Sequence, residues 1–147
     1  MQLQVKKLSV DVIQTRAYST DSGLDIAACL DKEVVLQPGE RKLIPTGIAI
    51  KLPDSTVPNE TYEGTIRPRS GNAVKHGLSC HFGTIDNSYI GEIKVLMYNL
   101  SDKPVTITPG MKIAQLVVQK VSLPEVLIVY ELANTERSSN GFGSTDI

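Results

Sequence analysis

Charge is almost cancelled along this chain. Fifteen Lys and Arg stand against sixteen Asp and Glu, a net charge of -1 over 147 residues. No basic stripe interrupts the balance, which argues against nucleic acid as a partner and leaves room for a small polyanion at one local site. Cysteine is scarce too. Cys29 and Cys80 are the only two and lack a Cys-x-x-Cys spacing, so free buried thiols in a reducing compartment are expected rather than a disulfide. Long hydrophobic runs are missing. The opening residues carry lysine and glutamine and read as no signal peptide, and no stretch approaches the roughly 20 apolar residues of a membrane-crossing helix. The expected location is the cytoplasm, with no membrane partner. Internal repeats and low-complexity blocks are absent as well.

What remains is a chain of one domain's length, built from short apolar or alternating runs with turn signals at close intervals. Val34-Val35-Leu36 ends at Gln37-Pro38-Gly39, Leu43-Ile44 at Pro45-Thr46-Gly47, and Ile48-Ala49-Ile50 at Pro53-Asp54. Later come Glu92 to Tyr98, Val105 to Ile107 stopped by Pro109-Gly110, and Ile113 to Gln119. β-Branched runs punctuated this way predict an all-β sandwich or barrel. Only Ser70 to His76 reads as a helix, with Ser70 as N-cap and Gly77 as its stop. Asp54 to Thr61 reads as a polar loop, and from about Ala133 the apolar pattern fades. The expected organisation is a β core over residues 1–132 and a mobile C-terminal arm over 133–147.

Five segments carry chemistry. Ser22-Gly23-Leu24-Asp25-Ile26 delivers one carboxylate from a glycine turn. Arg67-Pro68-Arg69-Ser70-Gly71 leads into the short helix, where free N–H groups, a guanidinium and a hydroxyl favour an anion. Gly83-Thr84-Ile85-Asp86-Asn87-Ser88-Tyr89-Ile90-Gly91 reads as a hairpin connection into the strand that follows, with Asp86 at a strand end beside a pocket. Gly110 to Leu116 is a turn feeding a strand, with Gln115 as its one amide among apolar neighbours. Last, Glu136 to Ile147 holds Arg137, the ring of Phe142 between two glycines, and adjacent hydroxyls. Guanidinium, ring, hydroxyls and bare backbone are the parts that grip a phosphorylated, ring-bearing ligand.

Taken in this order, the five segments resemble the motifs of the trimeric deoxyuridine triphosphatases, from Ser22 to Thr145. The resemblance implies a jelly-roll-like β fold, a homotrimer with active sites at subunit contacts, and magnesium-dependent hydrolysis of dUTP to dUMP and pyrophosphate. It implies a cellular role in limiting uracil in DNA and supplying dUMP for thymidylate synthesis. It also implies roles. Asp86 is the base for the water attacking the α-phosphorus, and Asp25 holds Mg2+ through water while the triphosphate supplies the direct ligands. Arg69, Ser70, Gly71 and Gln115 hold phosphates. Gly83, Thr84, Ile85 and Lys94 read the uracil edge, and Tyr89 packs under the deoxyribose. Arg137 reaches the phosphates from a neighbouring subunit's arm, Phe142 stacks on uracil, and Gly143, Ser144 and Thr145 close over the phosphates.

The chain departs from the motifs in places. Ser138, Asn140 and Asp146 stand where the arm motif has glycines, so the backbone there has less freedom to take positive φ. The loop from Asp54 to Thr61 is longer than usual for the family. His81 is expected to pack rather than touch the base, and His76 to lie on the helix surface. Two rival readings are a deaminase of the same fold, and a non-catalytic regulatory protein using the longer loop as its contact surface. The first needs a glutamate where Leu96 stands, and the second would be free to lose a catalytic set that is present.

Overall fold

The computed structural model describes residues 2–9 and 16–139. Among these residues the elements run β1 (Gln4–Lys7), β2 (Leu24–Ala27), β3 (Val34–Leu36), β4 (Arg41–Lys51) and β5 (Glu60–Arg67), followed by α1 (Ser70–His76). Then come β6 (Leu78–Cys80), β7 (Gly83–Ile85), β8 (Glu92–Asn99), β9 (Val105–Ile107) and β10 (Lys112–Ser122). Two four-stranded sheets have the orders β1-β4-β8-β6 and β2-β10-β5-β7, and β3 pairs with β9. All pairings are antiparallel. The all-β expectation with one short helix holds.

The strands form where apolar residues recur every second position, because alternate side chains face opposite sides of a sheet. In β8, Ile93, Val95, Met97 and Asn99 point inward and alternate with Lys94, Leu96 and Tyr98. Ile26, Ile66, Ile113 and Leu116 of one sheet join Ile44, Ile48, Val95 and Met97 of the other in one buried cluster, completed by Leu36 and Ile107. Each such side chain contributes about 1.5–3 kcal/mol on burial. The buried amide of Asn99 is fully used: it donates to the carbonyls of Leu36 (2.9 Å) and Lys103 (2.7 Å) and accepts from the Ser101 N–H and hydroxyl. Cys29 and Cys80 are free. Burial pushes the Cys80 thiol up to about 11 from an ordinary 9.0. Among the described residues no helix is long and apolar enough to cross a membrane.

Four expectations need correction. Pro45-Thr46-Gly47 does not end a strand; β4 runs through it as a bulge, with Pro45 opposite Lys94 and Ala49 already opposite Glu92. Gly47 supplies the positive φ of 64°, Thr46 donates its hydroxyl to the Ile93 carbonyl, and the Gly47 N–H donates to Glu92 Oε1. Nor is the segment after Gly83 a hairpin. β7 pairs with β5 and β8 pairs with β4 and β6, so the turn carries the chain from one sheet to the other. Glu60 and Thr61 belong to β5 rather than to the loop before it. Finally, Ser70 is the first helical residue: Arg69 takes the N-cap with extended backbone and no side-chain cap. Gly77 does stop the helix, at φ 61°.

Candidate active site

Two clefts gather the charged and polar residues. The first, of about 490 Å3, is lined by Gly83, Thr84, Ile85, Asp86, Tyr89 and Lys94, together with Leu43, Ile66, Glu92 and Ile93. β7 brings in Thr84 at the sheet edge, and Asp86 follows one residue beyond the strand with its carboxylate exposed. Tyr89 folds back over Gly91, its hydroxyl donating to the Glu92 carbonyl at 2.9 Å. A Cβ at Gly91 would fall 2.6 Å from that hydroxyl, so the ring rests where it does because residue 91 has no side chain. Lys94 projects from β8 with Glu92 at 3.9 Å.

The second cleft, of about 610 Å3, is lined by Asp25, Arg69, Ser70, Gly71 and Gln115, with Asp21, Gly23, Asn72, Lys75 and His76 among the others. The Asp25 carboxylate, 13% exposed, is held between two cations, Arg69 Nε at 3.1 Å and Lys112 Nζ at 2.7 Å. Gln115 donates to the Pro68 carbonyl at 3.0 Å and Asn72 to the Lys112 carbonyl at 2.9 Å. These bonds tie the Pro68–Arg69 turn and the start of α1 to β10. Gln115 therefore has a fixed orientation rather than a solvent-facing one, and Gly23 makes room for it. A Cβ there would fall 2.1 Å from the Gln115 amide oxygen.

The two clefts share no lining residue. β2, carrying Asp25, and β7, leading to Asp86, are the opposite edges of one sheet. Asp25 lies in the row of Gln115 and Arg67, whereas Asp86, continuing β7, falls in the row of Glu63 and Gln119. Three strand spacings across and four residues along place the Cα atoms of the two residues roughly 20 Å apart.

Sequence alone does not single out Asn72 and Lys112, nor the cleft wall of Leu43, Ile66 and Ile93. Both polar residues act on partners far along the chain, and no local pattern marks them. His81 packs edge-on against Tyr98, whose hydroxyl lies 3.2 Å from its Nδ1, and His76 is exposed on α1. After Ser122 the described chain has no helix or strand and is exposed, including Leu123, Val126, Leu127, Ile128 and Leu132. Ser138 takes φ 48° although it is not glycine, with its N–H bonded to Thr135. Asn140, Phe142, Gly143, Ser144, Thr145 and Asp146 lie outside the described residues, so the expected arm contacts have no geometry here.

A family model described as dUTPase matches residues 11–146. The deoxyuridine 5'-triphosphate nucleotidohydrolase of Hydrogenobaculum sp. (strain Y04AAS1) is 51% identical over 148 residues, covering 99% of this chain and 98% of that protein. The protein of the same name from Clostridium kluyveri is 45% identical, with 99% and 98% covered. Among solved structures, the Staphylococcus bacteriophage 80alpha dUTPase with dUPNHPP is similar at a TM-score of 0.86 and 30% identity, with 99% of each chain covered. A mutant dUTPase from phage phi11 of S. aureus, described with a coordinated structural Mg(II) ion, gives a TM-score of 0.78 at 27% identity, covering 91% of this chain and all of that one.

Proposed function

Because the chain belongs to the dUTPase family, we propose that each active site joins the Asp86 cleft of one copy to the Asp25 cleft of another. The protein hydrolyses dUTP to dUMP and pyrophosphate. The observation that carries the shared-site reading is the separation of the two carboxylates across the sheet. A carboxylate that holds magnesium through a bound water stands about 4–5 Å from the ion. Asp25 would then hold an ion on the substrate that Asp86 serves only if the two carboxylates lie within about a triphosphate's length of each other. A backbone separation of roughly 20 Å within one chain exceeds that reach. A homotrimer closes the gap, and the exposed aliphatic residues between Leu123 and Leu132 give a second copy an apolar strip to cover.

In this reading uracil enters the Asp86 cleft against the backbone of Gly83 to Ile85 and Lys94. The Tyr89 ring, pinned over Gly91, lies under the deoxyribose and excludes a 2'-hydroxyl. Asp86 takes a proton from water as its oxygen bonds to the α-phosphorus. The bond from that phosphorus to the bridging oxygen breaks, and pyrophosphate leaves with the electron pair. A positioned base of this kind is worth about 10²- to 10⁴-fold. Arg69, Ser70, Gly71 and Gln115 of the second copy hold the phosphates, and the arm with Arg137, Phe142, Gly143, Ser144 and Thr145 closes the site from a neighbour. Among the described residues no three His, Cys, Asp or Glu side chains converge on a metal position. The shielded carboxylate of Asp25, already paired with Arg69 and Lys112, would hold a magnesium ion through bound water rather than as a direct ligand. Bound there, the ion draws negative charge from the phosphates. We place the enzyme in the cytoplasm.

Pyrophosphate release from dUTP, dCTP, dTTP and UTP, with and without magnesium, tests the substrate and the metal. Co-refolding tests whether the arm reaches the Asp86 cleft from another copy. Asp86→Asn with an intact arm and a chain truncated after Leu132 are each expected to be inactive. Refolded together, they are expected to regain activity clearly above their sum. Mixed trimers that stay inactive would place the arm and the Asp86 cleft on the same copy.

A further inference from the structure

The turn that carries Asp86 is held from outside by a residue the catalytic set does not include. Asn87 follows Asp86, and its side chain points back into the protein while Asp86 and Ser88 are exposed. Its amide oxygen accepts from Lys51 Nζ at 3.1 Å, and its amide nitrogen donates to the Pro53 carbonyl at 2.8 Å. Lys51 is the last residue of β4, and Leu52 between the two partners is 1% exposed, locked in the core. Lys51 also pairs with Asp54 at 2.8 Å, which ties down the first limb of the long loop. Both ends of one amide are thus fixed to a rigid, distant part of the chain. Within the turn, the Tyr89 N–H donates to the Asp86 carbonyl at 3.0 Å. The clamp therefore reaches the backbone of both Asp86 and Tyr89.

We infer that Asn87 is a positioning residue for the hydrolysis, and that Lys51 and Pro53 hold it so that the Asp86 carboxylate is aimed at the attacking water. This rests on the reading of Asp86 as the base. Asp86 is exposed at the end of a three-residue strand, so its aim follows the backbone of the turn. A swing of about 1 Å at such a group can cost ~10²-fold in rate. The start of the loop after β4 thereby acts on the active site, because Pro53 and Asp54 complete the grip on the turn.

The test is a double-mutant cycle on the full-length enzyme, with kcat and KM for dUTP measured for Asn87→Ala, Asp86→Asn and the two combined. Asn87→Ala is expected to lower kcat by ~10- to 100-fold while KM stays within ~3-fold. In the Asp86→Asn background the same change is expected to cost nothing further, because there is no longer a base to aim. An equal loss in both backgrounds, or a kcat within ~3-fold of wild type for Asn87→Ala, overturns the inference and leaves Asp86 as base. If Asp86→Asn itself keeps its turnover, the base reading falls and the inference with it. Should Asn87→Ala not fold, Lys51→Met removes one end of the clamp. It is expected to lower kcat several-fold, with Lys51→Arg restoring it; an unchanged kcat in Lys51→Met overturns the proposal.

Discussion

At the scale of single residues, two positions without side chains do as much as their charged neighbours. Gly91 leaves the space in which the Tyr89 ring lies, and Gly23 does the same for the Gln115 amide. Gly91→Ala is expected to push the ring off its seat and to lower the ratio of kcat/KM for dUTP over UTP by ~10-fold or more. The oligomeric state should be unchanged. An unchanged ratio would show that deoxyribose selection does not depend on that ring. Asp25, Arg69, Asp86, Tyr89 and Gln115 can be picked from the sequence because each lies within a short motif. Asn72, Asn87 and Lys112 cannot be assigned roles that way, since each is defined by a partner that only folding brings near. Asn72, for example, donates to a carbonyl 40 positions away.

Elements are legible where apolar residues alternate strongly. The runs at Val34–Leu36 and Val105–Ile107 coincide with β3 and β9, and the one helix among the described residues spans Ser70–His76 as expected. β5 is not visible in the pattern, because only Tyr62 and Ile66 mark its inward side, with Gly64 between them. The apparent break in β4 is a bulge whose glycine is needed for the bend, not for a stop. Elements are also joined by polar cores that no periodicity reveals. Asn99 at the end of β8 reaches the carbonyl of Leu36 on β3 and organises the Ser101–Lys103 turn. Asn99→Ala leaves the buried Leu36 carbonyl without this donor and frees the Ser101–Lys103 turn, and is expected to cost about 1–3 kcal/mol. The measurement is the denaturant midpoint, which should fall while KM for dUTP holds. An unchanged midpoint would mean that water takes the amide's place.

For the molecule as a whole, the sheet order matters most. It sets the two clefts at opposite edges, so Asp25 and Asp86 do not meet within one chain. That arrangement is readable from the family resemblance and not from residue spacing, because strand order is invisible in a linear pattern. Specific activity is therefore expected to fall on dilution, in step with the loss of trimer mass measured on the same samples. Activity that persists in a population shown to be monomeric would contradict a site shared between copies.

The placement of the thiols has a consequence for the enzyme under oxidative stress. Cys80 is buried and remains protonated well above neutral pH, and peroxide attacks the thiolate rather than the thiol. Neither cysteine lines either cleft. An oxidant burst that silences enzymes working through a reactive sulfur finds no sulfur lining either cleft, so dUTP hydrolysis is expected to outlast them.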